Sequence, residues 1–227
     1  MPPLFSNRQD AGRKLAERLA FLAGQPKLVV LGLPRGGVPV AAVVAKALGA
    51  PLNVFVVRKI GVPGHEELAM GAVASGGVRV VNQEVVRAAG IERRVFDSVG
   101  EQELHEVARR ERAYRQNLPA PDLRGATVLL IDDGVATGST MLAGVLALRQ
   151  LGPARIIVAA PVMSREAADL LTRSADQCVS VAEPEPFYGV GQHYRDFAQT
   201  SDDEVRSLLE HQPVPTHQPE VLHVSPA

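Results

Sequence analysis

Apolar positions along the chain fall into two patterns that take turns: stripes at helical spacing and short unbroken runs. Between Asn7 and Leu22 the residues Ala11, Leu15, Leu19 and Leu22 share one helical face, with Asn7 or Asp10 placed to cap the first turn. Lys27 to Leu33 is an unbroken run, as expected of a strand covered on both faces; Pro34-Arg35-Gly36-Gly37 interrupts it, and Val38 to Leu48 is a small-residue helix closed by Gly49. Leu52 to Val57 predicts a second strand ending in Arg58-Lys59, followed by a Gly- and Pro-rich loop from Ile60 to Glu67. Met70–Ala74 and Val78–Val81 flank Ser75-Gly76-Gly77 as a hairpin. Asn82 caps a short helix ending near Gly90, and Ile91 to Leu118 reads as a long charged amphipathic helix or helix pair. Val128–Ile131, Ala154–Pro161 and Gln177–Val181 are further strands, separated by helices over Met141–Leu151 and from Ser164 to Arg173. Strands alternating with helices predict an α/β fold: an open, mainly parallel sheet flanked by helices, with a helical and hairpin insertion over about 61–120.

Composition narrows the picture in three ways. A chain of 227 residues, 46% hydrophobic and 22% charged, can bury one sizeable core, so residues 1–212 are read as a single domain and 213–227 as a flexible, Pro- and His-rich tail. The spacing of His211, His217 and His223 there is at best a weak metal signal. A net charge of -1 gives no global pull toward nucleic acid or an anionic membrane, so phosphate chemistry must rest on local cations; the arginines of 91–118 are interleaved with glutamates as on a solvated face. The single Cys178 excludes an intramolecular disulfide, fits a reducing cytoplasm and is expected to be a small buried apolar residue. No apolar run approaches the roughly 20 residues of a membrane span, and Met1 to Leu22 is too charged for a secretory signal.

Candidate chemistry concentrates after the strand Val128–Ile131. Asp132 and Asp133 follow it at once, and Gly134-Val135-Ala136-Thr137-Gly138-Ser139-Thr140 leads into the next helix. Two carboxylates at a strand's end can accept hydrogen bonds from a vicinal diol. Ala136 to Thr140 can offer backbone N–H groups and hydroxyls to a phosphate at the helix N-terminus. A diol and a phosphate at this spacing suggest ribose 5-phosphate.

Together these residues resemble the signature of the type I phosphoribosyltransferases, enzymes that use 5-phosphoribosyl 1-pyrophosphate (PRPP). In that resemblance Asp132 and Asp133 hold the ribose hydroxyls, and Ala136, Thr137, Gly138, Ser139 and Thr140 bind the 5-phosphate. Arg35, Gly36 and Gly37 resemble the pyrophosphate loop, which in the family often contains an unusual cis peptide; Arg58 and Lys59 would reach the same pyrophosphate. The resemblance also implies Mg²⁺, bound mainly through PRPP and pyrophosphate, with no protein ligand set assigned. The segment 61–80 would close over the site, and the 61–120 insertion would serve as lid or as contact of a homo-oligomer, a dimer. The aromatic stretch Phe187 to Phe197 resembles the hood that holds the acceptor, so Phe187 and Tyr194 are the candidate acceptor contacts.

Two departures from the family are visible. Gly134 stands where an aliphatic residue is usual and would loosen the strand exit; Ala136 stands where members acting on 6-oxopurines carry an Asp. The expected activity is therefore a cytoplasmic transfer of phosphoribosyl from PRPP to a small nitrogenous, nucleobase-like acceptor, part of nucleotide metabolism, with no nucleic-acid or membrane partner. The alternatives are a PRPP- or nucleotide-binding regulator without catalysis, and a nucleotide hydrolase using the same phosphate loop.

Overall fold

The buried runs become the centre of one parallel sheet. In this computed structural model, which describes residues 2–116 and 118–210, α1 (Arg8–Arg18) leads into β1 (Leu28–Gly32), α2 (Gly37–Leu48) and β2 (Leu52–Val54). The chain then forms a hairpin of β3 (Val57–Val62) and β4 (His65–Ala74), extended by β5 (Val78–Val81), and two helices, α3 (Gln83–Ala88) and α4 (Arg93–Arg115). It returns through β6 (Thr127–Ile131), α5 (Ser139–Gln150), β7 (Arg155–Val162), α6 (Arg165–Ser174), β8 (Gln177–Ala182) and α7 (Asp202–Glu210). The tail beyond Gln212, with His217 and His223, and His211 before it, lie outside the described residues.

The main sheet has the order β2-β1-β6-β7-β8, every pair parallel. One face packs Val30, Leu129, Ile131 and Ile157 against α1 and α2; the other packs Leu31, Val128, Leu130, Ile156 and Val158 against α5 and α6. With both faces covered, the strands read as continuous apolar runs rather than alternations. The order also fixes where a ligand can sit. From β1 the chain winds one way to β2, and from β6 the other way to β7 and β8, with α2 and α5 on opposite faces. Gly32 lies in register with Ile131, so the loops leaving β1 and β6 diverge side by side at a topological switch point, the crevice where open α/β sheets bind ligands.

Several expectations are corrected. The first helix ends at Arg18 and passes into a single 3₁₀ turn over Ala20–Leu22. The apolar run Leu52–Val57 is shared by two strands: β2 stops at Val54, and Val57 opens a strand of a separate antiparallel sheet, β3-β4-β5. Arg58 and Lys59 therefore lie inside β3, not at the end of a parallel strand. Phe55 N–H still bonds Gly32 O at 3.0 Å, while Val56 N–H bonds the Ser75 hydroxyl at 2.8 Å, so the chain changes sheets across two buried residues with no polar break to betray it. The expected loop Ile60–Glu67 is the end of β3, a turn at Pro63-Gly64 with Gly64 at φ 78°, and the start of β4. The 91–118 stretch becomes one helix, α4, whose Phe96, Val107 and Tyr114 are buried in the same core as Ile60 and Met70 of the hairpin. Cys178 is half-buried rather than enclosed, with Sγ 3.6 Å from Met163 Sδ.

Candidate functional site

Asp133, at the exit of β6, is engaged through its N–H, its carbonyl and one carboxylate oxygen. Its N–H donates to Asp132 Oδ1 at 2.9 Å, and its carbonyl accepts the Tyr194 hydroxyl at 2.5 Å. Its Oδ2 takes both Nε and Nη2 of Arg8, each at 2.8 Å. Arg8 is the first residue of α1, whose N-terminus is capped by Asn7 Oδ1 accepting from Asp10 N–H at 2.9 Å.

Burial pushes the Asp132 carboxyl well above the usual carboxylate range, and the adjacent Asp133 charge adds to it; the Asp133 N–H and Arg8 oppose the shift. Burial also raises Asp133, but Arg8 beside it works against that, so the shift is the larger at Asp132. A carboxyl with a raised folded-state pKa favours the fold while protonated and loses that advantage as pH rises from the unfolded value, near 3.8, toward the folded one. Asp132→Asn should therefore gain stability relative to wild type as pH rises through this window. Paired thermal melts from pH 4 to 8 check this, and a Tm difference that does not change with pH would contradict it.

The loop after β1 presses on these carboxylates. The Pro34–Arg35 peptide is cis. A Cβ at Gly36 would lie 2.0 Å from Asp133 Oδ2, and one at Gly37 would lie 2.6 Å from Ile131 O and 2.9 Å from Asp132 Cα. Arg35 is turned toward α7, with Nη1 3.6 Å from Asp202 Oδ1, the same oxygen that accepts the Tyr114 hydroxyl at 3.0 Å.

On the other side, β6 runs into the phosphate-type loop. Val135 bridges to Met163, the Ser164 hydroxyl holds Ala136 O at 2.6 Å, and Gly138 turns the chain at φ 77° as the residue before α5. Thr137 donates its hydroxyl to Ser139 Oγ at 3.2 Å. The first turn of a helix has N–H groups without intrahelical partners. Here that turn borders a cleft of about 1000 Å³ whose lining includes Thr137, Ser139 and Thr140, the cations Arg58, Lys59 and Arg110, and the carboxylates Glu66, Glu67 and Glu103. Arg58 is ion-paired with Glu103, and Lys59 with Glu67 at 2.9 Å. The structure thus brings Arg58 and Lys59 to the Thr137–Thr140 loop, and Arg35, Gly36 and Gly37 to the Asp132–Asp133 pair.

Residues 5–194 match the phosphoribosyl transferase domain. The chain belongs to the phosphoribosyl transferase family. Relatives in two strains of Mycobacterium tuberculosis, provisionally named phosphoribosyl transferases, are 46% identical over 207 residues, 91% of this chain. The chain spans about half the length of these curated relatives, 46%. The crystal structure of TT1426 from Thermus thermophilus is 40% identical, with a TM-score of 0.83 over 93% of this chain and 99% of that one.

Within this phosphoribosyl transferase domain the aromatic segment divides into a plug and a rim. Tyr194 is buried between Phe5 and Phe197, with ring centroids 5.2 and 4.9 Å away, and its hydroxyl is committed to Asp133. It is placed inside the wall of the site rather than on its surface, where an acceptor contact was expected. Burial, reinforced by the Asp133 charge, raises its phenol far above the ordinary value. Phe187 is half-buried, with its ring 5.2 Å from that of His193. Gly134 has a role the sequence did not suggest: a Cβ there would lie 2.3 Å from Val190 Cγ1, so its lack of a side chain makes room for the hood. Arg8 was missed altogether. It is one charged residue among several in a helix, and its partner lies 125 positions away.

Proposed function

We propose that the protein transfers the 5-phosphoribosyl group from PRPP to a small nitrogenous acceptor, releasing pyrophosphate. The observation that carries this is the packing of two glycines against a carboxylate pair at the switch point, followed at once by a helix whose N-terminus opens on a cleft that also holds Arg58 and Lys59. Asp132 and Asp133 bind the ribose hydroxyls, and the charge of Asp133 stabilises the ring as C1 becomes cationic. The Thr137–Thr140 turn holds the 5-phosphate. Gly36 and Gly37 let backbone N–H groups approach the pyrophosphate, while Arg35, Arg58 and Lys59 exchange their present carboxylate partners for its oxygens. The nitrogen nucleophile forms its bond to C1 as the C1–oxygen bond breaks, and pyrophosphate leaves with that electron pair.

Among the described residues no group of three or more His, Cys, Asp or Glu could hold a metal. The donors that are present, two adjacent carboxylates beside a single Arg8, are hard oxygens short of positive charge and fit Mg²⁺ that arrives on the donor's phosphates. Bound there, Mg²⁺ would neutralise charge on the leaving pyrophosphate. Exposed Ala136 offers no carboxylate at the loop tip, which supports an acceptor that needs no proton acceptor there. Dimer formation and a cytoplasmic location belong to the same proposal; among the described residues, no helix is long and apolar enough to cross a membrane.

A pyrophosphate-release assay with PRPP, Mg²⁺ and a panel of nitrogenous bases tests it. Release that depends on an acceptor is expected. PRPP binding without turnover on a full panel would favour the regulator, and free ribose 5-phosphate formed without acceptor would favour the hydrolase.

A further inference from the structure

The N-terminal segment and the hood form one unit. Phe5 N–H donates to His193 O at 3.0 Å, Arg195 N–H to Phe5 O at 2.9 Å, and Asp196 N–H to Ser6 O at 3.0 Å. Arg8 follows directly from this stitched segment, and its guanidinium is fixed on three sides. Nη1 donates to Ala198 O at 2.6 Å, Cζ lies over the Phe197 ring 4.1 Å from its centroid, and Nε and Nη2 both go to Asp133 Oδ2. Arg8 and Asp133 side chains are each only 13% exposed. A planar fork that stacks on an aromatic face while binding a carboxylate with two donors is arginine's chemistry and not lysine's. Because both donors fall on Oδ2, the other oxygen of Asp133 is left to a ligand hydroxyl.

We propose that Arg8 is a positioning residue for the donor: it orients the Asp133 carboxylate toward the ribose hydroxyls and ties that carboxylate to the hood through Phe197 and Ala198. This rests on the phosphoribosyl transfer proposed above. The ion pair joins the acceptor side of the site to the Asp133 carboxylate itself, beside the bond from the Tyr194 hydroxyl to the Asp133 carbonyl. Ordering of the hood by an acceptor therefore tightens the donor, and the reverse holds by linkage.

Calorimetric titration of the full chain with PRPP·Mg²⁺, and separately with inorganic phosphate, tests it in wild type, Arg8→Gln, Arg8→Lys and Phe197→Leu. Arg8→Gln is expected to weaken PRPP by roughly 10- to 100-fold, the scale of a lost charge-assisted hydrogen bond, and to leave phosphate binding within about twofold. Arg8→Lys should recover part of the loss. In turnover, KM for PRPP should rise more than kcat falls. Phe197→Leu keeps both charges and removes only the stacking face; it should weaken PRPP by about 2- to 5-fold and keeps the test available if Arg8→Gln does not fold. Arg8→Gln or Phe197→Leu binding PRPP as tightly as wild type, with only Tm lowered, would overturn the positioning role and leave the transferase proposal standing. Equal losses for PRPP and phosphate would also overturn it, since they mark a general collapse of the site. Wild type that fails to bind PRPP at all would overturn both.

Discussion

Asp133→Asn is expected to lower kcat by about 100- to 1,000-fold, the scale set by removing one preorganised charge-stabilising group from an enclosed site. The amide keeps the shape of the carboxylate and the backbone N–H bond to Asp132, so the loss reports the charge together with its pairing to Arg8. Arg8 sits against Asp133 and opposes the rise that burial causes there, whereas Asp132, more deeply desolvated, is raised further. The same substitution at Asp132 should cost less in kcat, because burial disfavours the charged form more strongly there and Arg8 pairs with Asp133 instead. Steady-state kinetics of the two variants side by side check the assignment. An Asp133→Asn enzyme that retains more than a tenth of wild-type kcat, or an Asp132→Asn enzyme that loses more than Asp133→Asn, would contradict it.

Gly36→Ala is expected to reduce kcat/KM for PRPP by about 100-fold or more, through position alone. Gly36 has φ −62° and ψ −32°, a conformation alanine adopts freely, so backbone strain plays no part. What alanine cannot do is share space with Asp133. Its methyl would lie 2.0 Å from an oxygen that Arg8 already holds at 2.8 Å, and either the loop or the carboxylate must shift by more than an ångström. A displacement of that size at a positioning group is worth about two orders of magnitude in rate. Gly49 supplies the control. It caps α2 at φ 65° with nothing within 4 Å of a Cβ, so Gly49→Ala should lower Tm through backbone strain and leave kcat/KM within about twofold. Gly36→Ala with near wild-type kcat/KM would mean that the loop does not set the distance to the carboxylates.

What could be read from the sequence was what is local. β1, β6 and β7 stand out because a strand covered on both faces must be apolar throughout, and Asp132 to Thr140 stands out because a strand end, two acids and a phosphate turn fall within one short stretch. What could not be read is long-range or sterically hidden. The change of sheet at Phe55–Val56 leaves no polar mark, because both residues are buried in either sheet's company. Tyr194 was expected at the acceptor because an aromatic cluster looks alike in sequence whether its rings plug a wall or face a ligand; only burial and the bond to Asp133 O tell them apart. Gly134 pointed to a loosened strand exit, but its missing side chain is filled by Val190, a hood residue 56 positions on. Arg8 carries no local signal at all.

The central claim is that the carboxylate pair and the Thr137–Thr140 turn form one donor site. Its most direct measurement is a calorimetric titration of wild-type protein with PRPP·Mg²⁺, repeated with ribose 5-phosphate present. The account predicts a single site at which ribose 5-phosphate competes with PRPP, since the two share the diol and the 5-phosphate. No binding heat with PRPP, or PRPP binding that saturating ribose 5-phosphate leaves unchanged, would contradict it.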